Sequence, residues 1–255
     1  MKNLMISLLI FLPLQLVSGQ DKNAIVQKTP DPAHRWMVGV QLGGSSLLAS
    51  TANYELSMLY YAVPQQVPNY DKQINQGWSF NGNIHNMFSK YFGLGVKYSY
   101  FSFSTQNEFT MRGLTKYEYL YIIMKQKQFI HYAGPSVISQ QWLNKNQKLR
   151  LTETISAGYL HYRDELRIDT YYNAYYPYHK VLVKRNTWGV NGGIGLDYYP
   201  VSRLSIGANF GFTYARFNKV KVTTLSADHK TKSIELEDYQ PLSILDYSLS
   251  VRFHF

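Results

Sequence analysis

The sequence predicts an all-β chain folded as an antiparallel, up-and-down transmembrane β-barrel of about eight strands. Three observations predict it. Apolar and polar residues alternate with period two over most of the chain, short and long connections take turns between the alternating segments, and the polar faces are built from Gly, Ser, Asn and Thr rather than Lys and Glu. Period two is the side-chain repeat of a β-strand.

Composition bounds the class. The chain has 255 residues, room for one sizeable domain. Charged residues make up 16%, against a usual value of roughly 25%, and aromatics also reach 16%, with 23 Tyr and 13 Phe. Few charges with many aromatics suit either a very stable soluble core or a surface that faces lipid. A mean hydropathy of −0.28 excludes a helical membrane protein. Transmembrane barrels hide in such averages, because only alternate residues of each strand are apolar. The absence of cysteine excludes a disulfide framework, a lipidated N-terminal Cys, thiol catalysis and Cys-ligated zinc.

Residues 1–19 carry a positive start at Lys2, a short apolar run from Leu4 to Leu16 and small residues before Gln20. This is the layout of a secretory signal peptide, and the run is short of the roughly 20 residues a spanning helix needs. Residues 20–33, with Pro30 and Pro32 and no periodicity, read as a flexible leader, and residues 34–255 as the barrel. A net charge of +10 is common in nucleic-acid binders, but an export signal makes that a poor reading here. Anionic lipid headgroups and lipopolysaccharide phosphates are natural counter-charges. A solvated surface with a modest excess of Lys is the alternative.

Eight segments alternate. Residues 36–43 set Trp36, Val38, Val40 and Leu42 against Gly and Gln; 78–88 set Trp78, Phe80, Ile84 and Phe88 against Ser, Asn and His. Residues 92–100 oppose Leu94, Val96, Tyr98 and Tyr100 to Gly93, Gly95, Lys97 and Ser99. Residues 129–142 are strand-like, but Pro135 interrupts them and their faces stay unassigned. Residues 149–160 alternate except that Glu153 falls on the apolar face, which suggests a bulge or a shifted register. Residues 188–199 and 204–214 oppose aromatic and aliphatic residues to Gly, Asn, Ser and Thr, and 245–255 is fully apolar on odd positions and fully polar on even ones. Links at 88–92, 143–148 and 200–204 are short, whereas 45–76, 105–128, 164–185 and 217–241 read as long loops. Short turns on one side and long loops on the other are the outer-membrane arrangement.

Periodicity alone does not separate such a barrel from a soluble one that is apolar inside. Polar faces of small residues do, because a water-facing strand normally carries long charged side chains. Aromatics near segment ends (Trp36, Trp78, Phe88, Trp142, Trp188, Tyr198, Phe253 and Phe255) fit the two girdles of a membrane barrel.

The tail, Tyr247-Ser248-Leu249-Ser250-Val251-Arg252-Phe253-His254-Phe255, resembles the closing strand of outer-membrane barrels. In that resemblance Ser248, Ser250, Phe253 and Phe255 form the signal read by the barrel-assembly machinery, with Ser250 where glycine is common. The whole plan resembles the eight-stranded OmpA- and OmpX-type barrels, and more closely the outer-membrane β-barrel domain proteins of Bacteroidota. The resemblance implies the outer membrane of a Gram-negative bacterium, with outer-membrane lipid and lipopolysaccharide as surroundings.

Candidate functional residues fall in three groups. Lys97, Arg150, Asp197, Asp246 and Arg252 lie on polar faces, so a narrow barrel would bury them. Buried charges need partners, and an interior network among these five, plugging the barrel, is the expectation; a narrow gated pore is the alternative. Tyr171, Tyr172, Tyr175, Tyr176 and Tyr178 form a dense aromatic display, suited either to recognising an extracellular ligand or to strand ends packing on each other. His161, Asp164 and Glu165 sit together at a strand exit, while His85, His131 and His254 are scattered. None of these makes a triad or a metal-ligand spacing, so no catalytic residue, metal or cofactor is expected. The leading expectation is a non-enzymatic envelope protein; a small channel and a lipid A-modifying enzyme are the alternatives.

Overall fold

The computed structural model describes residues 35–49, 74–112, 119–144, 146–171, 178–226 and 231–255. The expected signal peptide and the leader to residue 33 lie outside them. Eight antiparallel strands run in chain order: β1 (Trp36–Ala49), β2 (Gln76–Met87), β3 (Phe92–Arg112), β4 (Tyr119–Trp142), β5 (Leu149–Tyr171), β6 (Tyr178–Val201), β7 (Leu204–Ser226) and β8 (Thr231–His254). Each pairs with its sequence neighbour, and β8 closes onto β1. Backbone bonds between Trp36 and Phe255 lock the seam at the end that also carries the short turns.

Three of the expected long loops are corrected. Most of 105–128, 164–185 and 217–241 is strand: β3 and β4 remain in register to Arg112↔Tyr119 and β5 and β6 to Asp169↔Tyr178, while β7 and β8 stay paired to Leu225↔Thr231 with a one-residue shift between Phe217 and Lys219. The period of two persists there, but its polarity inverts. On β3, Leu94, Val96, Tyr98 and Tyr100 face outward and Lys97 and Ser99 inward; then Phe101 and Phe103 turn inward and Ser102 and Ser104 outward. On β5 the change falls between Tyr159, which faces out, and Leu160, which faces in. On β8 it falls between Ile244 and Asp246, both inward. The half near the turns is therefore polar inside and apolar outside; past the crossing an apolar layer fills the bore, with buried Gln126, Gln128, Asp164 and Arg185 beyond it, while Lys, Arg and Glu stand outside.

Strands β4, β6 and β8 run 24 residues each. At about 3.3 Å per residue and a tilt of roughly 40°, such a strand climbs about 60 Å. The far half has a six-strand wall among the described residues: β3 beyond Phe103 pairs with β4 alone, and β8 before Ser243 pairs with β7 alone.

Local departures have local causes. Pro135 sits on the outward face of β4, with Ser136 and Ile138 inward; the β4–β5 register skips residues 134–135, where the missing amide of Pro135 leaves no donor. No bulge forms at Glu153, which stays in register with Ser139 and Ile194 and points outward between Leu151 and Ile155. Trp142 is corrected from the girdle: it turns toward the lumen mouth and packs on Tyr199, 4.9 Å between ring centroids.

Candidate functional site

The lumen of the turn half holds the charged residues. Lys97, Arg150, Asp197, Asp246 and Arg252 all point inward and are 0–5% exposed. Arg252 donates to Asp197 as a buried ion pair, and its second terminal nitrogen donates to Asn209 Oδ1 at 2.5 Å. The remaining charges meet neutral groups rather than one another. Lys97 Nζ donates to Asn191 Oδ1 at 2.6 Å, and Asn191 Nδ2 to Thr213 Oγ1 at 2.6 Å. Asn81 Nδ2 donates to Asp246 Oδ2 at 3.5 Å. The Arg150 guanidinium lies over the rings of Tyr199 and Trp142, 4.4 and 5.4 Å from their centroids. It also approaches His254 Nε2 at 3.4 Å, which in turn is 3.0 Å from the Tyr199 hydroxyl. The expected network among five charges is thus one ion pair set in amides, hydroxyls and rings.

Glycine makes the room. A Cβ on Gly207 would stand 2.2 Å from Asp197 Oδ1, and one on Gly211 would stand 2.5 Å from Asp246 Oδ1. The bare backbone of β7 is what lets two carboxylates lie across the bore. Among Gln41, Lys97, Thr152, Asn209, Asp246 and Arg252 the free space is ≈ 10 Å³, room for about one water.

Above this polar layer lies an apolar one. Leu47, Phe101, Phe103, Ile130, Tyr132, Leu160, Tyr162, Ala215, Phe217, Leu242 and Ile244 form one buried cluster across the bore. Beyond it, Gln126 and Gln128 donate to Asp164 Oδ2 at 2.6 and 3.1 Å, and Arg185 donates to Gln240 Oε1 at 3.0 Å. Of this second polar layer the sequence singled out Asp164 alone, as part of a cluster at a strand exit, because its strands were read as loops.

The outer wall is graded in the same direction. Near the turns, Trp36, Phe88, Tyr198, Phe253 and Phe255 face outward. Ten residues along β6 from Tyr198 stands Trp188, 73% exposed, beside Tyr159 at a centroid distance of 6.3 Å. The upper belt continues through Trp78 and Tyr100, 5.1 Å apart, and His131, 5.0 Å from Tyr100. The Tyr98 hydroxyl is 2.8 Å from His131 Nδ1, and His161 Nδ1 is 2.6 Å from Asn186 Oδ1.

The rim group does not converge. His161 and Glu165 face outward, while Asp164 is buried in the lumen with Tyr162 and two glutamines. His85 points inward to Ser136 Oγ at 2.7 Å, and His254 closes the turn end of the bore.

One step beyond the aromatic belt the wall becomes basic. The β5–β6 register sets Arg163 opposite Lys184, and the β6–β7 register sets Lys184 opposite Lys221. Arg163 pairs with Glu165, which Lys180 also approaches at 3.5 Å. Among the described residues Lys184 and Lys221 have no acid within ion-pair distance; Glu235, across from Lys221, lies 4.0 Å from Lys219 instead.

Of the Tyr display, Tyr172, Tyr175 and Tyr176 lie outside the described residues. Tyr178 opens β6, and Tyr171 ends β5 opposite Tyr121, ring centroids 5.8 Å apart. Tyr121 donates to Glu108 Oε2. That bond, with a second from Gln106, holds the Glu108 carboxyl below the usual carboxylate range, and the Tyr121 hydroxyl is held above its own. Tyr171 thus stands at the end of a strand, in contact with a neighbouring strand.

A closed antiparallel eight-strand ring with buried polar side chains in its turn half and an apolar outer band defines the class: this is the fold of the outer-membrane β-barrels. The solved structures it is similar to include a major outer membrane protein from Thermus thermophilus, at 10% identity over 87% of this chain and 100% of that one, TM-score 0.50. They also include Neisserial surface protein A (8% identity, 86% and 97% covered, TM-score 0.41) and the attachment invasion locus protein Ail of Yersinia pestis (12% identity, 86% and 99% covered, TM-score 0.38). No family model matches the chain, and no curated protein matches it in sequence.

Proposed function

We propose that this chain is an integral outer-membrane protein of a Gram-negative envelope, its turn half spanning the bilayer and its far half standing outside. Its role is non-enzymatic: a plugged barrel that displays a rigid wall and its loops at the cell surface. The observation that carries the reading is the inversion itself. In the turn half, Val96 is 57% exposed and Leu249 70%, while Asp197 and Arg252, one strand position from apolar neighbours, are at most 1% exposed. Water would penalise that arrangement and lipid would favour it. The far half, with Lys and Glu outside and Phe inside, is the arrangement water favours.

Fractionated envelopes test the location. The protein is expected in the outer-membrane fraction, running as a compact, faster band before boiling and a slower one after. A single unchanged band in the periplasmic fraction overturns the reading. Purified protein in planar bilayers is expected to show no steady conductance, since the charged side chains of the polar layer are buried in the bore and the apolar layer bars ions by dewetting. Stable open-channel currents would replace the plug with a pore.

Two substitutions on the same face of one strand test the inversion. Val96→Arg is expected to lower stability in lipid vesicles by about 2–4 kcal/mol, the cost of a cation near the bilayer midplane. Ser104→Arg, eight residues along and outward as well, is expected to stay within about 0.5 kcal/mol. Equal losses at both positions in urea titrations would put lipid along the whole wall and refute the division.

A further inference from the structure

We propose that His131 and His161 form an exchangeable binding site for a divalent transition-metal ion on the outer wall of β4 and β5. The two are far apart in sequence, and the β4–β5 register sets them directly opposite each other. Directly opposed side chains have Cβ atoms about 4.5–5.5 Å apart. The two rings are half-buried and their centroids are 6.2 Å apart. Imidazoles that share one ion, each nitrogen about 2 Å from it, have centres up to about 6 Å apart, so a modest rotation of either ring closes the site.

The neighbouring strands prepare both rings in the same way. Asn186 Oδ1 only accepts, so at 2.6 Å it holds the proton of His161 on Nδ1 and leaves Nε2 as a bare lone pair. On the other side the Tyr98 hydroxyl, 2.8 Å from His131 Nδ1, can accept the corresponding proton, and Tyr100 packs on the same ring at 5.0 Å. Among the described residues neither Nε2 has a hydrogen-bond partner. This is how metal-ligating histidines are held: one nitrogen is tied to an outer partner that fixes tautomer and ring orientation, and the other is left for the ion. Arg163, the next outward residue of β5, is paired with Glu165, which offsets its charge toward a cation. Imidazole donors favour copper(II), nickel(II) and zinc over magnesium and calcium, and copper(II) binds most tightly of that series. Among the described residues no three His, Asp or Glu side chains converge, so water keeps the remaining coordination positions and the ion can exchange. The site needs only the register of β3 to β6, and it stands wherever the bilayer lies along the wall.

The test titrates copper(II) chloride into the full-length folded protein in phosphatidylcholine vesicles and reads the ion by electron paramagnetic resonance. One ion per chain is expected, with a spectrum split by two imidazole nitrogens. H131Q and H161Q are each expected to bind at least tenfold more weakly and to lose the two-nitrogen splitting. Y98F, which removes an outer partner, is expected to weaken binding about tenfold while keeping that splitting. H34Q/H179Q/H229Q, which removes three histidines elsewhere in the chain, is expected to bind as the parent does. A heat-modifiable band for each variant shows that the barrel is intact. Protection of His131 and His161 from diethyl pyrocarbonate by copper(II) in the parent gives the same answer without any substitution. Binding unchanged in H131Q and H161Q, binding lost in the triple variant, a one-nitrogen spectrum in the parent, or no protection of the two rings would each overturn the proposal.

Discussion

Replacing Arg252 with leucine is expected to cost the folded barrel about 3–5 kcal/mol, the loss seen when one partner of a buried ion pair is removed. Asp197 is then left charged in a bore where it is 0% exposed, with Leu196 and Tyr198 of its own strand turned outward. Asn209 also loses its donor. Asp197→Asn combined with Arg252→Leu is expected to recover most of that loss, since removing both charges also removes the desolvation that the pair must offset. Urea unfolding from lipid vesicles reads both variants. If the double variant is no more stable than Arg252→Leu alone, the ion pair is not what holds this part of the bore.

Phe101→Ala is expected to cost a similar amount, about 3–5 kcal/mol, by a different route. Phe101 is 0% exposed within the apolar layer that crosses the bore. Truncating it leaves a cavity whose walls are held apart by the sheet, so collapse is limited and the cavity contribution adds to the lost transfer free energy. The loss is expected to be the same in vesicles of short and long acyl chains, because the layer lies inside the barrel. A loss under about 1 kcal/mol would mean that Phe101 is not packed as the structure shows it.

The turn half was legible because its signal is redundant. On β8, six odd and five even positions agree, and β6, β7 and β3 repeat the pattern. The five inward charges followed from face assignment alone. Their partners did not, because Lys97 and Asn191 are 94 residues apart and meet only through ring closure. The far half misled for a specific reason. At the crossing, both faces of a strand are apolar for a few residues, as in Tyr159-Leu160 and Ile244-Leu245, so a rule tied to one face ends there. Beyond it Lys, Arg and Glu stand outward, a composition that also describes loops. Strand length was hidden by the change of environment, not by a weak period. Trp142 misled in a smaller way: an aromatic at a strand end can face the bore as well as the interface, and the alternation of β4 puts Trp142 on the same face as Ser136 and Ile138, 5.4 Å from the Arg150 guanidinium.

The inversion also acts as a gauge of thickness. Along β6 the outward run from Tyr198 to Trp188 spans ten residue steps, and Lys184 stands four steps further in the same direction. Ten tilted residues match about 25 Å of hydrocarbon. A thicker leaflet would draw Lys184 toward acyl chains, and a thinner one would leave Trp188 and Val190 in water. Each ångström of mismatch costs a fraction of a kcal/mol, and it accumulates around the circumference. The barrel is therefore expected to set the local depth of the bilayer around itself, and two residues added to every strand below the crossing would retune it to a different membrane without touching anything displayed above.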